Sequence, residues 1–149
     1  WGSTSPHPPH AELAAGLVAG GGAVILSPSD AAYLDISYTD DFPLGLTWPG
    51  AVDVARSADW EPGALLPLPA SAILGVEAAL WTETVTTQHE AEQLMYPRLA
   101  VQAELAWTAP DAGERSWASL RQRLGALGPL WQSEGIAFHP APEIPWSTR

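Results

Sequence analysis

The sequence predicts an α/β fold, the C-terminal portion of a (β/α)8 TIM barrel. Two short apolar segments, residues 23–26 and the start of 73–80, lack polar alternation and are typical of parallel strands buried on both faces. Each leads into a stretch with aromatic and acidic side chains, as at the ligand-binding face of such a barrel. Because two strands cannot close a barrel of eight, we expect about the last two to three βα units, with the barrel incomplete in this chain.

The first half of the chain contains one predicted unit. Residues 1–9 are Gly, Ser, Thr and Pro without periodicity and are predicted to form a loop after an earlier strand. Residues 10–70 are predicted to be a βα unit with a long active-site loop. In it, a helix over 11–19 ends at three glycines before the strand. The loop, 29–70, shows neither helical nor strand period, and loops of this length in compact domains are usually functional.

Residues 71–107 are predicted to hold the last strand and its helix. Thr87 followed by Glu90 is a capping-box pattern, and it opens a helix from about residue 88 to residue 107. Pro97 lies inside this pattern and should kink or break the helix. The predicted apolar face consists of Ala91, Leu94, Met95, Leu99, Ala103 and Ala106.

Residues 108–149 are predicted to form a terminal helix and a Pro-rich tail. Asp111 and Glu114 repeat the capping pattern before a helix over about 115–133, and Gly135 ends it. The predicted apolar stripe consists of Trp117, Leu120, Leu124, Leu127 and Leu130 or Trp131. The tail is expected to pack back on the body through Phe138, Ile144 and Trp146.

The composition excludes several classes of function. The formal net charge is −11, which repels nucleic acids and anionic membranes, so neither is predicted as a partner, whereas a neutral ligand is not disfavoured. There is no Cys, so no disulfide or thiol chemistry is predicted, and secreted and cytoplasmic locations both stay open. Eight Trp and 15 Pro favour an aromatic-lined site presented on loops.

Aromatic and acidic residues that follow the predicted strands form the candidate site. A sugar ring needs an apolar face to lie on and acceptors for its hydroxyl groups, and this combination supplies both. Taken singly, each residue has the more ordinary interpretation of a packing aromatic or a solvated acid. Glu77, placed inside the second predicted strand, is interpreted as a buried structural carboxylate with internal hydrogen bonds. The candidate residues are Trp1, Tyr33, Asp35, Trp48, Trp81 and Glu83.

No cofactor and no metal site is predicted. The glycines at 20–22 precede a strand, which is the wrong order for a phosphate-binding loop. His7 and His10 are not accompanied by Cys or by a carboxylate cluster. Ser-His-acid catalysis is not excluded by residue order, but no nucleophile-elbow pattern supports it.

Several segments, in order along nearly the whole chain, resemble a known family. They include Tyr33-Leu34-Asp35, Thr47-Trp48-Pro49-Gly50 and the segment ending in Trp81-Thr82-Glu83. With the further segments 24–28, 45–46, 75–80, 97–100, 104–107, 138–140 and 145–146, they are similar to the C-terminal part of the catalytic domain of glycoside hydrolase family 20. These are the β-N-acetylhexosaminidases, here of the bacterial type.

The resemblance implies a role for Tyr33 in substrate-assisted catalysis. In this family the carbonyl oxygen of the substrate's 2-acetamido group attacks the anomeric carbon and forms an oxazolinium ion. Tyr33 resembles the tyrosine whose hydroxyl holds that oxygen. Holding the acetamide in attack geometry is a proximity effect.

The resemblance also implies substrate-binding roles for five residues. Trp1, Trp48 and Trp81 resemble the tryptophans that wall the pocket, with Trp81 under the sugar ring and Trp1 against the acetamide. Asp35 and Glu83 resemble carboxylates that accept hydrogen bonds from the 6- and 4-hydroxyls. A pocket closed around those hydroxyls would make the enzyme exo-acting.

One departure from the family pattern affects the prediction of activity. The family's catalytic pair is an adjacent Asp-Glu in a His-x-Gly-Gly-Asp-Glu motif, and this sequence contains neither the motif nor an Asp-Glu dipeptide. The expected sugar-binding arginine has no candidate either. We therefore expect the N-terminal part of the same domain to be missing and the 149 residues alone to be inactive.

The predicted function is that of an exo-acting β-N-acetylhexosaminidase, a glycosidase of chitin and other glycans, present as a fragment. Its predicted partners are glycans that end in N-acetylglucosamine or N-acetylgalactosamine. The alternative is a non-catalytic sugar-binding or scaffold protein that derives from the same fold.

Overall fold

A computed structural model of the chain describes residues 3–5 and 7–147, in which helices alternate with two strands. No helix in this part of the chain combines the length and the apolar character needed to cross a membrane. Short 3-10 helices lie at Pro62–Ala64, Ala70–Ala72 and Gly113–Arg115. The main elements are α1 Pro8–Ala19, β1 Val24–Leu26, α2 Val54–Ala58, β2 Ile73–Val76, α3 Gln88–Met95, α4 Arg98–Trp107 and α5 Trp117–Ser133.

The two strands lie where the apolar segments predicted them and pair in parallel, with Leu26 opposite Val76. Leu26 faces the core and is 4% exposed, but Ile25 and Leu74 are 59% and 71% exposed. Burial on both faces was therefore the wrong expectation for this chain, because no described segment covers these two side chains. β2 also ends at Val76, so residues 77–86 form an irregular segment after it.

The predicted loop over 29–70 contains one short helix that the sequence pattern did not indicate. Asp53 caps α2 by accepting a hydrogen bond from the Arg56 N–H. Val54 and Ser57 on its inner face are buried against α4. Five residues are too few to show a helical period in the sequence, so this helix could not be predicted from the sequence pattern. A helix this short depends on its packing against α4 for stability.

The predicted helix over 88–107 is two helices. The capping box is present, since Thr87 accepts from the Glu90 N–H and the Glu90 carboxylate accepts from the Thr87 N–H. Pro97 separates α3 from α4, as predicted. Leu94 is buried as expected and Ala91, Met95 and Leu99 are partly buried. The α4 end of the predicted stripe is on the wrong face, because the buried face of α4 includes two polar residues that an apolar pattern does not select. The buried residues of α4 are Arg98, Val101, Gln102 and Leu105, whereas Ala103 and Ala106 are exposed.

The last helix is capped by Ser116, which accepts from the Ser119 N–H, and not by Asp111. Residues 113–115 form a separate 3-10 turn, so the helix starts after the predicted position. Gly135, with a φ of 71°, follows the end of α5 as predicted. Leu120, Leu124 and Trp131 are buried in the predicted stripe, and Leu130 is exposed.

The C-terminal tail packs on the body, as expected. Phe138 and Trp146 lie with their ring centroids 4.8 Å apart, and Phe138 lies 5.3 Å from Trp131 of α5. Ile144 is 3% exposed and belongs to a core that α2, α4, α5 and the tail share. The tail also contacts the long loop, where His139 stacks on Tyr38 with their ring centroids 4.1 Å apart.

Candidate functional site

The candidate site is built around the tripeptide Tyr33-Leu34-Asp35. Tyr33 is 8% exposed, Leu34 is 2% exposed and Asp35 is 2% exposed. Two polar side chains are therefore buried with a single residue between them. Asp35 Oδ1 has no hydrogen-bond partner among the described residues. A buried carboxylate oxygen without a partner is costly for the free energy of folding and is therefore a signal of function.

Backbone hydrogen bonds hold three segments together at this tripeptide. The Leu34 N–H donates to the Ala79 carbonyl at 2.7 Å, which joins the tripeptide to the segment after β2. The Leu46 N–H donates to the Asp35 carbonyl at 2.8 Å, and the Ser37 N–H donates back to the Leu46 carbonyl at 2.8 Å. Residues 33–37, 45–48 and 79–84 are therefore neighbours although they are distant in sequence.

Gly45 allows the closest of these approaches. Its φ is 87°, a conformation that favours glycine, and a Cβ atom at this position would lie 2.6 Å from the Asp35 carbonyl oxygen. Its N–H donates to the Thr84 hydroxyl at 3.2 Å. A residue with a side chain could not occupy this position without displacing Asp35.

Trp81 lies against Tyr33 at the surface of the site. The two ring centroids are 6.2 Å apart, with an interplanar angle of 58°. Trp81 is 51% exposed, so a large part of the indole is free to contact a ligand. The structure therefore brings together Tyr33, Asp35 and Trp81, three of the residues that the sequence indicated.

The other candidate residues are less enclosed. Trp48 follows Leu46 by two positions and is 60% exposed. Glu83 is exposed, and its negative charge adds to the effect of burial in raising the pKa of Asp35. Trp1 lies outside the described residues. Trp48, Trp81 and Glu83 are thus the exposed candidate residues, and they are called the rim below.

The burial of the tripeptide changes its protonation equilibria. Burial raises the pKa of Asp35, and the Glu83 charge raises it further, while the backbone N–H groups of Asp35 and Trp81 and the Arg98 charge oppose the shift. Burial likewise raises the pKa of the Tyr33 hydroxyl, against a hydrogen bond with Trp81. Tyr33 therefore keeps its proton at neutral pH and can act as a hydrogen-bond donor.

Glu77 is not the buried carboxylate that the sequence suggested. It follows the end of β2 and is exposed, because the strand is shorter than the apolar segment. Its N–H donates to the Leu26 carbonyl and its carbonyl accepts from the Ser27 hydroxyl, so only its backbone is engaged in these bonds. Burial is the largest cause of the raised pKa of Tyr33, and the Glu77 charge adds to it.

Sequence reasoning missed Arg98. This side chain is fully buried beneath the tripeptide and donates hydrogen bonds to the carbonyls of Leu34 and Val52 at 2.7 and 2.8 Å. A continuous helical period places Arg98 four residues after the buried Leu94, on the same face, but a search for an apolar stripe passes over an arginine. A buried arginine can be recognised only when it is known which face of its helix packs on the core.

The site offers no cluster of metal ligands in the part of the chain that the structure describes. Among residues 3–5 and 7–147, no group of three or more His, Cys, Asp or Glu side chains could hold a metal ion. The chemistry of the site is thus that of one hydroxyl donor, two carboxylate acceptors and exposed indoles.

Comparison with protein-family models finds one match, described as Glycosyl hydrolase family 20, catalytic domain, over residues 6–110. A curated relative, a Beta-N-acetylhexosaminidase of Cellulomonas fimi, is 41% identical over 127 residues. The match covers 85% of this chain and 25% of the relative. The chain therefore spans about a quarter of the length of that relative.

Solved structures of the same family are similar over almost the whole chain. A Glycoside Hydrolase Family 20 beta-N-Acetylglucosaminidase superposes with a TM-score of 0.93 at 46% identity, covering 99% of this chain and 32% of that one. A mutant Streptomyces plicatus beta-hexosaminidase in complex with product (GlcNAc) superposes with a TM-score of 0.92 at 42% identity. This match covers 99% of this chain and 29% of the Streptomyces chain.

Proposed function

Since the chain belongs to glycosyl hydrolase family 20, whose catalytic-domain model matches residues 6–110, we propose that it forms the sugar-binding part of an exo-acting β-N-acetylhexosaminidase. Such an enzyme removes terminal, non-reducing N-acetylglucosamine or N-acetylgalactosamine from glycans. The observation that carries this proposal is the buried pair of a Tyr33 hydroxyl and an Asp35 carboxylate beside the half-exposed ring of Trp81.

The proposed reaction is substrate-assisted hydrolysis with retention of configuration. The acetamide carbonyl oxygen attacks the anomeric carbon, the glycosidic C–O bond breaks, and the leaving oxygen takes a proton from a general acid. Water then opens the oxazolinium ion and releases the sugar. The chain's own contribution to these steps is to bind and orient the sugar.

Tyr33 positions the nucleophile in this proposal. Its hydroxyl donates a hydrogen bond to the acetamide carbonyl oxygen and holds that oxygen under the anomeric carbon. A tyrosine hydroxyl is protonated at neutral pH even at its ordinary pKa, and burial raises the pKa of Tyr33 further, so the group is a donor across the neutral range. Orienting an internal nucleophile can lower the barrier by several kcal/mol, on the order of 7 in well-oriented cases.

The remaining residues select the terminal sugar. Asp35 accepts from the 6-hydroxyl and Glu83 from the 4-hydroxyl, so that a further sugar attached at the non-reducing end would have no space. Trp81 supplies the apolar surface under the ring. Trp48 forms a side wall, and Trp1 is assigned to the acetamide side.

The chain is proposed to be one part of a TIM barrel and to be inactive alone. Residues 10–70 and 71–107 are its strand–helix units, 1–9 is a loop after an earlier strand, and 108–149 is the terminal helix and tail. The exposed Ile25 and Leu74 of the two-stranded sheet support this assignment, because barrel strands bury such side chains. The sequence contains no Asp-Glu dipeptide, so the general acid and the acid that orients the acetamide nitrogen must come from residues outside these 149.

The test uses the complete open reading frame that contains this sequence. The purified protein is assayed on a chromogenic N-acetylglucosaminide and on the matched glucoside, which lacks only the acetamide. We expect hydrolysis of the first alone, and Tyr33→Phe is expected to lower kcat by about 100-fold, as loss of one aligned donor does. The 149-residue chain alone is expected to hydrolyse neither substrate. Equal rates on the two substrates would refute substrate assistance.

A further inference from the structure

Arg98 makes its hydrogen bonds to the part of the backbone that connects the two buried site residues. Its Nη2 atom donates to the Leu34 carbonyl at 2.7 Å and to the Leu94 carbonyl at 3.1 Å, and its Nη1 atom donates to the Val52 carbonyl at 2.8 Å. The Leu34 carbonyl belongs to the peptide that leads into Asp35. One planar group therefore binds both the tripeptide and the backbone just before α2.

The charge of Arg98 has no carboxylate partner. None of the ion pairs among the described residues includes it, although it is fully buried. Burying an unpaired charge is costly, and an apolar side chain would usually fill such a place at less cost. Asp35 is among the groups whose negative charge favours the ionised guanidinium. The guanidinium thus binds the carbonyl of the peptide that precedes the site carboxylate.

Arg98 is also held in place by Tyr38 and the tail. The guanidinium carbon lies 3.8 Å from the centroid of the Tyr38 ring, and His139 of the tail stacks on Tyr38 at 4.1 Å. Two groups this close to one ring must lie on opposite faces, so Tyr38 is sandwiched between them. The Tyr38 hydroxyl lies within hydrogen-bond distance of the carbonyls of Leu94 and Tyr96, at 3.1 and 3.0 Å. The guanidinium therefore cannot shift without moving the stack.

We propose that Arg98 is a positioning residue, which fixes the Leu34–Asp35 peptide so that Tyr33 and Asp35 meet the same sugar in a fixed relation. This inference rests on the proposed function. Arg98 itself touches no sugar, because it is fully buried beneath the tripeptide. Its action on the reaction passes through Asp35 and Tyr33.

Gln102 provides a matched control on the same helix. It lies one turn after Arg98, is 2% exposed, and also donates to backbone carbonyls, those of Ala31 at 3.1 Å and Ser57 at 2.9 Å. These acceptors belong to the start of the long loop and to α2, not to the tripeptide. Gln102→Met therefore removes a comparable buried anchor without releasing the peptide before Asp35.

The experiment is a double-mutant cycle in the complete protein, with kcat/KM on the chromogenic N-acetylglucosaminide as the readout. Arg98→Lys keeps the charge but loses the two-pronged geometry, so we expect a fall of about 10-fold. Asp35→Asn is expected to lower kcat/KM by about 10-fold as well, since it removes a charged acceptor. In the double variant we expect the two losses to overlap. Its kcat/KM should then lie within about threefold of the kcat/KM of the less active single variant.

The control cycle pairs Gln102→Met with Asp35→Asn. Here we expect the effects on kcat/KM to multiply, whatever Gln102→Met does to the melting temperature, because the two sites share no group. If the Arg98 and Asp35 effects also multiply, Arg98 is only a structural anchor and the inference is overturned. If Asp35→Asn alone leaves kcat/KM unchanged, the site assignment of the proposed function fails and the inference fails with it.

A second variant keeps the test decisive if Arg98→Lys does not fold. Tyr38→Phe keeps the ring under the guanidinium and removes only the hydroxyl that contacts the Leu94 and Tyr96 carbonyls. We expect a loss of about threefold in kcat/KM that is absent in the Asp35→Asn background, since both act on the same carboxylate. If Tyr38→Phe lowers kcat/KM equally in the Asp35→Asn variant and in the parent, that result alone would overturn the inference.

Discussion

The two halves of the candidate site differ in how they are held. Tyr33 and Asp35 are buried, and backbone hydrogen bonds from two other segments hold their tripeptide. Trp48, Trp81 and Glu83 form the exposed rim, and more than half of the area of each indole is open. One half is therefore part of the folded core, and the other is a surface attached to it.

This difference separates two physical tasks. The buried half carries groups whose geometry must be exact within a fraction of an ångström, so it is placed where packing limits movement. The exposed half supplies apolar contact area, which tolerates more movement because dispersion and the hydrophobic effect are not directional. We expect substitutions in the buried half to change stability and function together, and those in the rim to change binding alone.

The largest effect is expected from Gly45→Ala, which attacks the buried half through its backbone. A Cβ atom would lie 2.6 Å from the Asp35 carbonyl oxygen, and the φ of 87° adds strain. Together these should lower the free energy of unfolding by about 2–4 kcal/mol and abolish binding of N-acetylglucosamine. Chemical denaturation and calorimetric titration of the complete protein measure the two quantities.

Gly50→Ala is the matched control for this change. Gly50 has a φ of 92° but nothing within 4 Å of the new Cβ atom, so only the strain remains. A loss of about 1 kcal/mol is expected, with binding retained. Equal losses for the two variants would show that the close approach to Asp35 does not matter.

A smaller effect is expected from removing the indoles of the rim. Trp81→Ala and Trp48→Ala should each weaken binding of N-acetylglucosamine by about 10-fold, because an exposed aromatic platform is lost. The melting temperature should change little, since both side chains are more than half exposed. Trp81→Ala should have the larger effect of the two, because its ring also contacts Tyr33.

Trp107 is the control for these two variants. It is 89% exposed at the end of α4, outside the three segments of the site. Trp107→Ala should leave the affinity for N-acetylglucosamine unchanged in the same titration. Weakened binding in this variant would mean that the aromatic surface used for the sugar is not the rim.

The smallest effect is expected from Asp35→Asn on stability, and it depends on pH. The pKa of Asp35 is raised above its ordinary value of 3.8, so the folded state loses stability as pH rises from that value through the raised pKa. Asn removes this loss. The variant should be more stable than the parent at about pH 7, by less than about 2 kcal/mol, and should gain nothing below the ordinary pKa. Melting temperatures at about pH 3 and about pH 7 measure the difference.

Asp40→Asn, an exposed carboxylate of the same loop, controls for the loss of one negative charge. Its stability is expected to change by less than about 0.5 kcal/mol at either pH. If Asp35→Asn is less stable than the parent at neutral pH, the buried Asp35 carboxylate stabilises the fold. The proposed contrast, in which the buried half lowers stability and the exposed rim does not affect it, would then be wrong. Binding of the sugar should meanwhile fall at acid pH in the parent, since protonated Asp35 is a poorer acceptor.

The sequence predicted those structural features that depend only on residues close together along the chain. The capping box at Thr87 and Glu90 and the break at Pro97 were both correct, because each depends on a few adjacent residues. The buried face of α4 was assigned wrongly because it carries Arg98 and Gln102, which a search for apolar residues does not select. Glu77 was placed in a strand because the apolar run continues beyond the last residue that actually pairs.

The sequence by itself determined which chemical groups the site can offer. Its aromatic and acidic residues after two apolar segments, and their family resemblance, do not depend on any contact. The tertiary structure alone decided how those groups are held: that Asp35 is buried with a free oxygen, that Gly45 touches its backbone, and that Arg98 lies beneath it. The physical reason is that burial, pKa and hydrogen-bond partners are properties of segments distant in sequence, and only folding brings these together.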